Sequence, residues 1–337
     1  MSYESIIENN CLRVTPHWWP KYAYHFTDVT NAVSILSSGL LLSRAQATDR
    51  CVMQNDNASK QVIDMTESNI TSYVRFYFRP LTPTQYHNEG FKHAQLRYDG
   101  DVNANIPVPI FLVFDLNALL NMPDTRFSAK GQAGHGSEIL HGELAFSQMP
   151  FDKIYSVGPC NHETISYRHA ELLFPDLLAV KDSLRMILCR NEAEKATLLN
   201  LLFAESQKAY YTYKEYIRIA NDQVFQRNGL FVEQVSYHHH QIGFSFSCTP
   251  EKRSYDSRTQ QKSLSPVHAT YQFDWLNKLG SALYSKMIES SIDYLNPRPI
   301  MFKLPYFSNA SILFVTLRFD GKIVCVFKQS LDAFEMM

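Results

Sequence analysis

A glutamate that opens a short apolar segment is the best candidate for a catalytic group in this chain. The segment reads HAELLF from His169, so Glu171 lies where a predicted loop meets a predicted strand. A carboxylate at such a junction can face a cleft and stabilise a positively charged, oxocarbenium-like sugar as its glycosidic bond breaks. The common alternative is a surface glutamate on an edge strand. Glu171 alone therefore suggests sugar chemistry without establishing it.

A histidine on the first predicted strand is the second candidate. His25 lies between aromatic residues, just ahead of a helix for which Thr27, Asp28 and Thr30 are N-cap candidates. Its imidazole could hydrogen-bond a ribose hydroxyl, although a half-buried structural histidine is the ordinary alternative.

Tyr77 is the third candidate, on a predicted strand over residues 73–78. Alternation places Tyr73, Arg75, Tyr77 and Arg79 on one face of this strand and apolar residues on the other. A tyrosine on such a face could stack on a flat heteroaromatic ring. An ordinary cross-strand aromatic contact is the commoner role.

The elements that must position these residues form a first part in which helices and strands mix. The aromatic strand of His25 leads into a helix that Gly39 ends, and a further strand is expected over 107–116. A helix over about 191–211 closes this part. Residues 126–139 contain three glycines and are expected to form a mobile loop. We also predict a strand over 151–158.

The second part alternates with a period of two and predicts antiparallel strands. Asp320-Gly321 is a strong signal for a two-residue hairpin turn. One helix, over about residues 275–294, is expected to interrupt these strands. We therefore predict an α+β domain over residues 1–211 and a β-rich accessory domain over residues 212–337.

The composition excludes several classes of protein. The longest apolar runs are strand-sized, far short of the roughly 20 residues of a membrane helix, and the N-terminus lacks a secretory signal. We expect a cytoplasmic protein with no membrane contact, whose six dispersed cysteines are reduced. The net charge of −1 argues against a protein that coats nucleic acid. A local patch in the more basic last third could still grip a few nucleotides.

Two other chemistries have little support. The glycine-rich loops typical of ATP phosphate binding are absent from the sequence. Alternate residues of the triplet His238-His239-His240 could hold a metal ion, but no nearby cysteine or acidic cluster completes a site. We interpret the triplet as a solvated strand edge and expect no metal.

Three segments give the chain a resemblance to a known family. The first runs from His25 to Leu40 in the order H-F-T-x-x-x-N-x-x-x-I-L-x-x-G-L, and the others cover residues 72–90 and 168–202. In order, spacing and surroundings these segments resemble the DarT family of DNA ADP-ribosyltransferase toxins, over about residues 20–205. The resemblance implies an ADP-ribosyltransferase fold with a split antiparallel sheet.

The resemblance also implies roles for individual residues, with NAD as the substrate that donates ADP-ribose. His25 would contact the adenosine ribose, Thr27 and Asn31 would line the NAD site, and Tyr77 would pack near nicotinamide. Glu171 would orient the nicotinamide ribose, stabilise the developing cation and help to deprotonate the acceptor base.

Two features of the family match less closely. An arginine after the first Gly-Leu pair is expected to bind the NAD phosphates and assist catalysis, and of Arg44 and Arg50 we favour Arg44 because it lies closer to the motif. The loop over 127–135 resembles the family's substrate loop, but Ala129 and Gly131 stand where an aspartate or histidine is usual. The identity of the acceptor base is therefore open.

The implied reaction moves ADP-ribose from NAD to thymine or guanine in single-stranded DNA, where the base need not be flipped out of a duplex. Lys130, His135 and Arg168 are the candidate nucleic-acid contacts. Modified template bases would block replication, so the chain is expected to act as a toxin or anti-phage effector, opposed by a separately encoded antitoxin or ADP-ribose hydrolase. RNA bases are an alternative acceptor, and a catalytically inactive NAD- or nucleic-acid-binding module is the non-enzymatic alternative.

Overall fold

The computed structural model describes residues 1–54, 69–97, 105–132, 137–220, 223–247 and 264–331. Its buried apolar side chains form two clusters. The first cluster runs from Ile6 to Phe225, and the second consists mainly of residues from Leu230 onward. Among the described residues, no helix has both the length and the apolar character that crossing a membrane requires.

A seven-stranded sheet organises the first part. In chain order its strands and those of a small neighbouring sheet are β1 (Tyr22–Asp28), β2 (Leu40–Leu42), β3 (Tyr73–Tyr77), β4 (Pro109–Asp115), β5 (Arg126–Ser128), β6 (Glu171–Pro175), β7 (Leu177–Ala179), β8 (Leu184–Cys189) and β9 (Ile217–Ile219). The large sheet has the order β5-β6-β3-β1-β4-β8-β9, and β2 pairs with β7. The pairs of the large sheet are antiparallel except β8 with β9.

The large sheet is split between β1 and β3. These two strands share a single register pair, Tyr24 with Tyr77, whereas β1 pairs with β4 along all seven of its residues. The sheet therefore divides into the half β5-β6-β3, which carries Glu171, and the half that begins at β1. The predicted α+β class with a split antiparallel sheet is confirmed.

Helices flank this sheet and connect its strands. In chain order they are α1 (Tyr3–Arg13), α2 (Val29–Ser38), α3 (Arg44–Asp49), α4 (Pro83–Asn88), α5 (Leu116–Leu120), α6 (Glu143–Ser147), α7 (Phe151–Ile154), α8 (His162–Tyr167), α9 (Val180–Ser183), α10 (Glu192–Glu205) and α11 (Gln207–Tyr213). Helix α2 starts and ends as the sequence predicts. The side chain of Asp28 accepts from the backbone NH of Thr30, and Gly39 has a left-handed φ of 71°.

The second part is built from strands. They are β10 (Val232–His238), β11 (Gln241–Phe246), β12 (Val267–Leu276), β13 (Ala282–Ile292), β14 (Ile300–Lys303), β15 (Ile312–Phe319) and β16 (Lys322–Ser330), in sheets of order β10-β11-β14 and β13-β12-β15-β16. Asp320 and Gly321 both have positive φ and join β15 to β16. The predicted hairpin turn and the β-rich character are confirmed.

Two predicted elements are wrong. The helix expected over residues 275–294 is instead the end of β12, a turn and β13. The Asn277 side chain accepts from the backbone NH of Leu279 and Ser281, which closes the turn, and β13 then pairs with β12 over its whole length. Cross-strand pairing overrides the helix-favouring composition of this segment.

The strand expected over residues 151–158 begins instead as the helical turn α7. Phe151 and Ile154 are both buried and lie one helical turn apart, and the Phe151 ring contacts that of Phe146 at 5.1 Å. The helix predicted over 191–211 is broken at Ser206, whose side chain caps α11. The first residues of the predicted 126–139 loop form β5, and residues 133–136 lie outside the described part of the chain.

The domain boundary is best placed later than residue 211. Strand β9 pairs with β8 in the large sheet, and Phe225 belongs to the first hydrophobic cluster, whereas Leu230 belongs to the second. We propose two domains that meet between Phe225 and Leu230.

Candidate active site

The carboxylate of Glu171 is buried at the start of β6 and held by one arginine. Its side chain is 2% exposed. Nε of Arg75 donates to Oε2 of Glu171 at 2.9 Å, and Nη2 donates to Oε1 at 2.6 Å. This bidentate pair gives the buried carboxylate a cationic partner and a hydrogen bond to each of its oxygens.

Strand register explains why these side chains meet. Glu171 lies directly opposite Tyr77 on β3 and opposite Ser128 on β5. Arg75 is two residues from Tyr77, so it occupies the same face and is a diagonal neighbour of Glu171. The alternation read from the sequence therefore brings Tyr77 and Arg75 to the carboxylate together.

Tyr77 contributes a neutral phenol to this group. Burial raises the pKa of Tyr77, and the charge of Glu171 raises it further. Arg75 and a hydrogen bond with Thr84 act in the opposite direction without reversing the shift. At neutral pH the ring therefore offers an uncharged aromatic surface beside the carboxylate.

His169 joins the same cluster, two residues before Glu171. Its Nδ1 lies 3.3 Å from the hydroxyl of Thr84 on α4. Burial lowers the pKa of His169 to about 4, and the positive charges of His87 and Arg75 add to the shift. The imidazole is therefore neutral at physiological pH.

This shift predicts a loss of stability in mild acid. Between pH 6.5 and about 4 the unfolded chain binds a proton at His169 that the folded chain does not, so the free energy of unfolding rises with pH in that window and falls as pH is lowered. We expect about 2 kcal/mol from His169, with allowance for its partial exposure. Denaturation midpoints measured from pH 7 to 4.5 should fall less for His169→Gln than for the parent. Equal slopes for the two proteins would contradict the prediction.

A glycine in the substrate-loop segment makes room for this histidine. A Cβ atom added to Gly131 would lie 2.9 Å from Cβ of His169, closer than real Cβ contacts. The absence of a side chain at residue 131, which the sequence shows as a departure from the family, thus has a local physical cause. The loop packs directly against the residue that leads into Glu171.

We therefore expect Gly131→Ala to lower the free energy of unfolding by about 1–3 kcal/mol through overpacking. In a His169→Gly background the same substitution should cost clearly less, because the atom it would contact is gone. Thermal denaturation of the four proteins in this cycle measures the coupling. Strictly additive losses would show that the two residues do not press on each other.

His25 connects to this cluster through the backbone of Arg75. Its Nδ1 lies 3.1 Å from the carbonyl oxygen of Arg75, which assigns Nδ1 as the donor, and its ring packs edge-on against Phe76 at 6.0 Å. Burial lowers the pKa of His25, so the ring is neutral.

The other residues assigned to NAD lie around β1 and the two helices that follow it. Thr27 is buried near the end of β1, and Asn31 in α2 accepts from the backbone NH of Gln54 at 2.9 Å. Arg44 is the first residue of α3 and is half-buried, whereas Arg50 bonds to the Gln46 side chain. The arginine in contact with Glu171 is neither Arg44 nor Arg50.

Two of the three candidate nucleic-acid contacts, Lys130 and Arg168, lie in the described part of the chain. Lys130 follows β5 by two residues, and its Nζ lies 4.8 Å from the ring centre of Tyr167. Arg168 donates to the hydroxyl of Ser156 and to the carbonyl oxygen of Gly158. His135 lies outside the described residues. In the described part of the chain, no group of three His, Cys, Asp or Glu side chains is arranged to hold a metal ion.

Sequence reasoning missed the roles of Arg75 and His169. Both were visible in the motifs: Arg75 alternates with Tyr77 on one strand face, and His169 precedes Glu171 by two residues. The sequence does not show that β3 pairs with β6. This pairing places the polar face of β3 next to Glu171 of β6, so that residues of both strands form one site.

The model of a family described as "ssDNA thymidine ADP-ribosyltransferase, DarT" matches residues 24–223. The chain belongs to the DarT family. It is therefore an NAD-dependent ADP-ribosyltransferase, with NAD as its substrate. The resemblance read from three sequence segments is confirmed, and the matched range contains the whole Glu171 cluster and reaches past β9.

Solved structures of other DarT proteins are similar to this chain. Thermus sp. 2.9 DarT in complex with ADP-ribosylated ssDNA is 17% identical, with 61% of this chain and 97% of that chain covered and a TM-score of 0.49. The same protein in complex with NAD+ gives 18% identity, 61% and 98% coverage and a TM-score of 0.46. Thermosipho africanus DarTG in complex with ADP-ribose is 12% identical, with 64% of this chain and 53% of that chain covered and a TM-score of 0.47. No curated protein gives a significant match.

Proposed function

We propose that this DarT protein transfers the ADP-ribose of NAD to a base, thymine or guanine, in single-stranded DNA, with Glu171 as the carboxylate at the reacting ribose. The observation that carries the proposal is the buried, bidentate Glu171–Arg75 pair inside the range that the family model matches. A buried carboxylate held by two hydrogen bonds is suited to a reaction whose transition state gains positive charge on a sugar.

The chemistry assigns a distinct task to each neighbouring group. As the bond between nicotinamide and C1′ of the ribose breaks, positive charge develops on the sugar, and the carboxylate of Glu171 stabilises it. The new bond joins C1′ to a nitrogen of the base as neutral nicotinamide leaves, and the carboxylate of Glu171 accepts the proton that this nitrogen loses. The neutral ring of Tyr77 offers a stacking surface for nicotinamide. His25, Thr27, Asn31 and Arg44 are our proposed contacts for the rest of NAD.

Single-stranded DNA is the proposed acceptor because the matched family is described by that substrate. An unpaired base avoids the cost of flipping, about a few kcal/mol. Lys130, two residues after β5, and Arg168, three residues before Glu171, are the proposed phosphate contacts, with His135 as a further candidate.

A direct assay separates the possible acceptors. The protein is incubated with labelled NAD and with DNA or RNA oligonucleotides that each contain one target base. We expect label on the DNA that contains thymine or guanine. Label on RNA alone would replace the acceptor in this proposal, and hydrolysis of NAD without transfer to either would reject base modification.

A biological role as a toxin or anti-phage effector in the cytoplasm follows from this reaction, because modified template bases block replication. A separately encoded antitoxin or ADP-ribose hydrolase is the proposed partner. Induced expression should stop growth for the parent chain and not for Glu171→Gln at equal protein level. Equal toxicity of the two chains would show that transfer is not the cause.

A further inference from the structure

Arg75 lies on β3, at the edge where the sheet is split, and contacts residues of both halves. Its side chain binds Glu171 of β6, and its carbonyl oxygen accepts from His25 of β1. We propose that Arg75 is the positioning residue of the transfer reaction, which fixes the plane of the Glu171 carboxylate and supplies its counter-charge. This inference rests on the proposed function of Glu171.

The geometry of the pair fixes orientation as well as charge. Nε and Nη2 form one edge of the planar guanidinium, and each donates to a different oxygen of Glu171. Two parallel hydrogen bonds hold the carboxylate in the plane of the guanidinium, which a single-point contact from lysine cannot do. Each carboxylate oxygen keeps a second lone pair, which remains able to accept a hydroxyl of the ribose.

Burial makes this partner necessary. The Glu171 side chain is 2% exposed, whereas that of Arg75 is 33% exposed. A buried carboxylate without a cationic partner is costly. His169 cannot substitute, because burial and neighbouring cations lower its pKa to about 4 and leave it neutral. Burial alone would lower the pKa of Arg75, but the charge of Glu171 outweighs it and the pKa is raised.

The partial exposure of Arg75 allows a specific test by chemical rescue. Removing its side chain in Arg75→Ala leaves a gap beside Glu171 that is open to solvent, into which free guanidinium ion at millimolar concentration can diffuse. We expect kcat for transfer to fall by about 10²-fold, with KM for NAD nearly unchanged, and added guanidinium to restore the rate by about tenfold. Arg75→Lys keeps the charge and should still lose most of kcat, and it carries the test if the alanine variant does not fold.

The matched control is Arg185→Ala on β8, which removes a half-exposed arginine paired with Asp115 at 3.1 Å. Its kcat should match the parent, and guanidinium should not change its rate.

Retention of the parent kcat in Arg75→Lys, a rise in KM alone, or no rescue of a folded Arg75→Ala would overturn the inference. An inactive parent chain would instead reject the proposed function, so the two failures are distinguishable.

Discussion

Glu171→Gln is expected to lower kcat for ADP-ribose transfer by about 10³-fold while the protein stays folded. The amide has almost the shape of the carboxylate but carries no charge, so it cannot stabilise the cationic sugar. Its NH2 group would also face the donors of Arg75, which breaks one of the two hydrogen bonds now present. Single-turnover transfer to an oligonucleotide, measured together with the thermal denaturation midpoint, separates loss of chemistry from loss of folding.

Two further variants make this result specific. Glu171→Asp keeps the negative charge but shortens the side chain by one methylene, which moves the carboxylate away from the ribose. Its kcat should therefore lie between those of the parent and the glutamine variant. Glu205→Gln removes an exposed glutamate at the end of α10 and should leave kcat unchanged. A Glu171→Gln protein that transfers ADP-ribose within threefold of the parent rate would remove Glu171 from the mechanism.

Arg190→Met is expected to lower the free energy of unfolding by about 3–5 kcal/mol. Arg190 is fully buried, forms an ion pair with Glu194 and lies 3.4 Å from Glu89. Its guanidinium also donates to the carbonyl oxygens of Pro107 and Asn228. Without it two buried carboxylates lose their cation, and burial already raises the pKa of Glu194.

The buried ion-pair network of Arg190, Glu194 and Glu89 is connected to the active site through α4. Glu89 follows α4 directly and accepts from the side chain of Gln85 and the backbone NH groups of Gln226 and Arg227. Thr84 of the same helix contacts His169. The network therefore fixes α4 against the segment that joins the two hydrophobic clusters, and its loss should also reduce transfer activity.

Arg185→Met is the matched control for stability. Arg185 and Asp115 are partly exposed, with side-chain exposures of 49% and 30%, so breaking their ion pair should cost about 1 kcal/mol or less. Denaturant titration of both variants against the parent measures the difference. If Arg190→Met costs no more than Arg185→Met, the buried network does not stabilise the fold.

The sequence predicted those parts of the fold that depend on local patterns. The cap at Asp28, the helix stop at Gly39 and the Asp320-Gly321 turn are each determined by the chemistry of one or two residues. Alternation along residues 73–78 placed Arg75 and Tyr77 on one face, as β3 has them. The motif around His25 and the segment from Arg168 were enough to identify the family.

The parts that could not be predicted depend on contacts between distant segments. The composition of residues 282–292 suits a helix, and only pairing with β12 makes it a strand. The charge count gives no sign that Arg190 is buried between two glutamates, or that Arg75 faces Glu171 across 96 residues of chain. The fit of Gly131 against His169 likewise appears only when the loop and β6 are folded together.

Mass spectrometry of nucleosides tests the central claim most directly. A single-stranded DNA oligonucleotide is incubated with NAD and the purified chain, digested to nucleosides and analysed beside a sample treated with Glu171→Gln. The account predicts ADP-ribosylated thymidine or deoxyguanosine with the parent chain and only trace amounts with the variant. Unmodified nucleosides from a folded parent chain, or equal modification by both proteins, would contradict it.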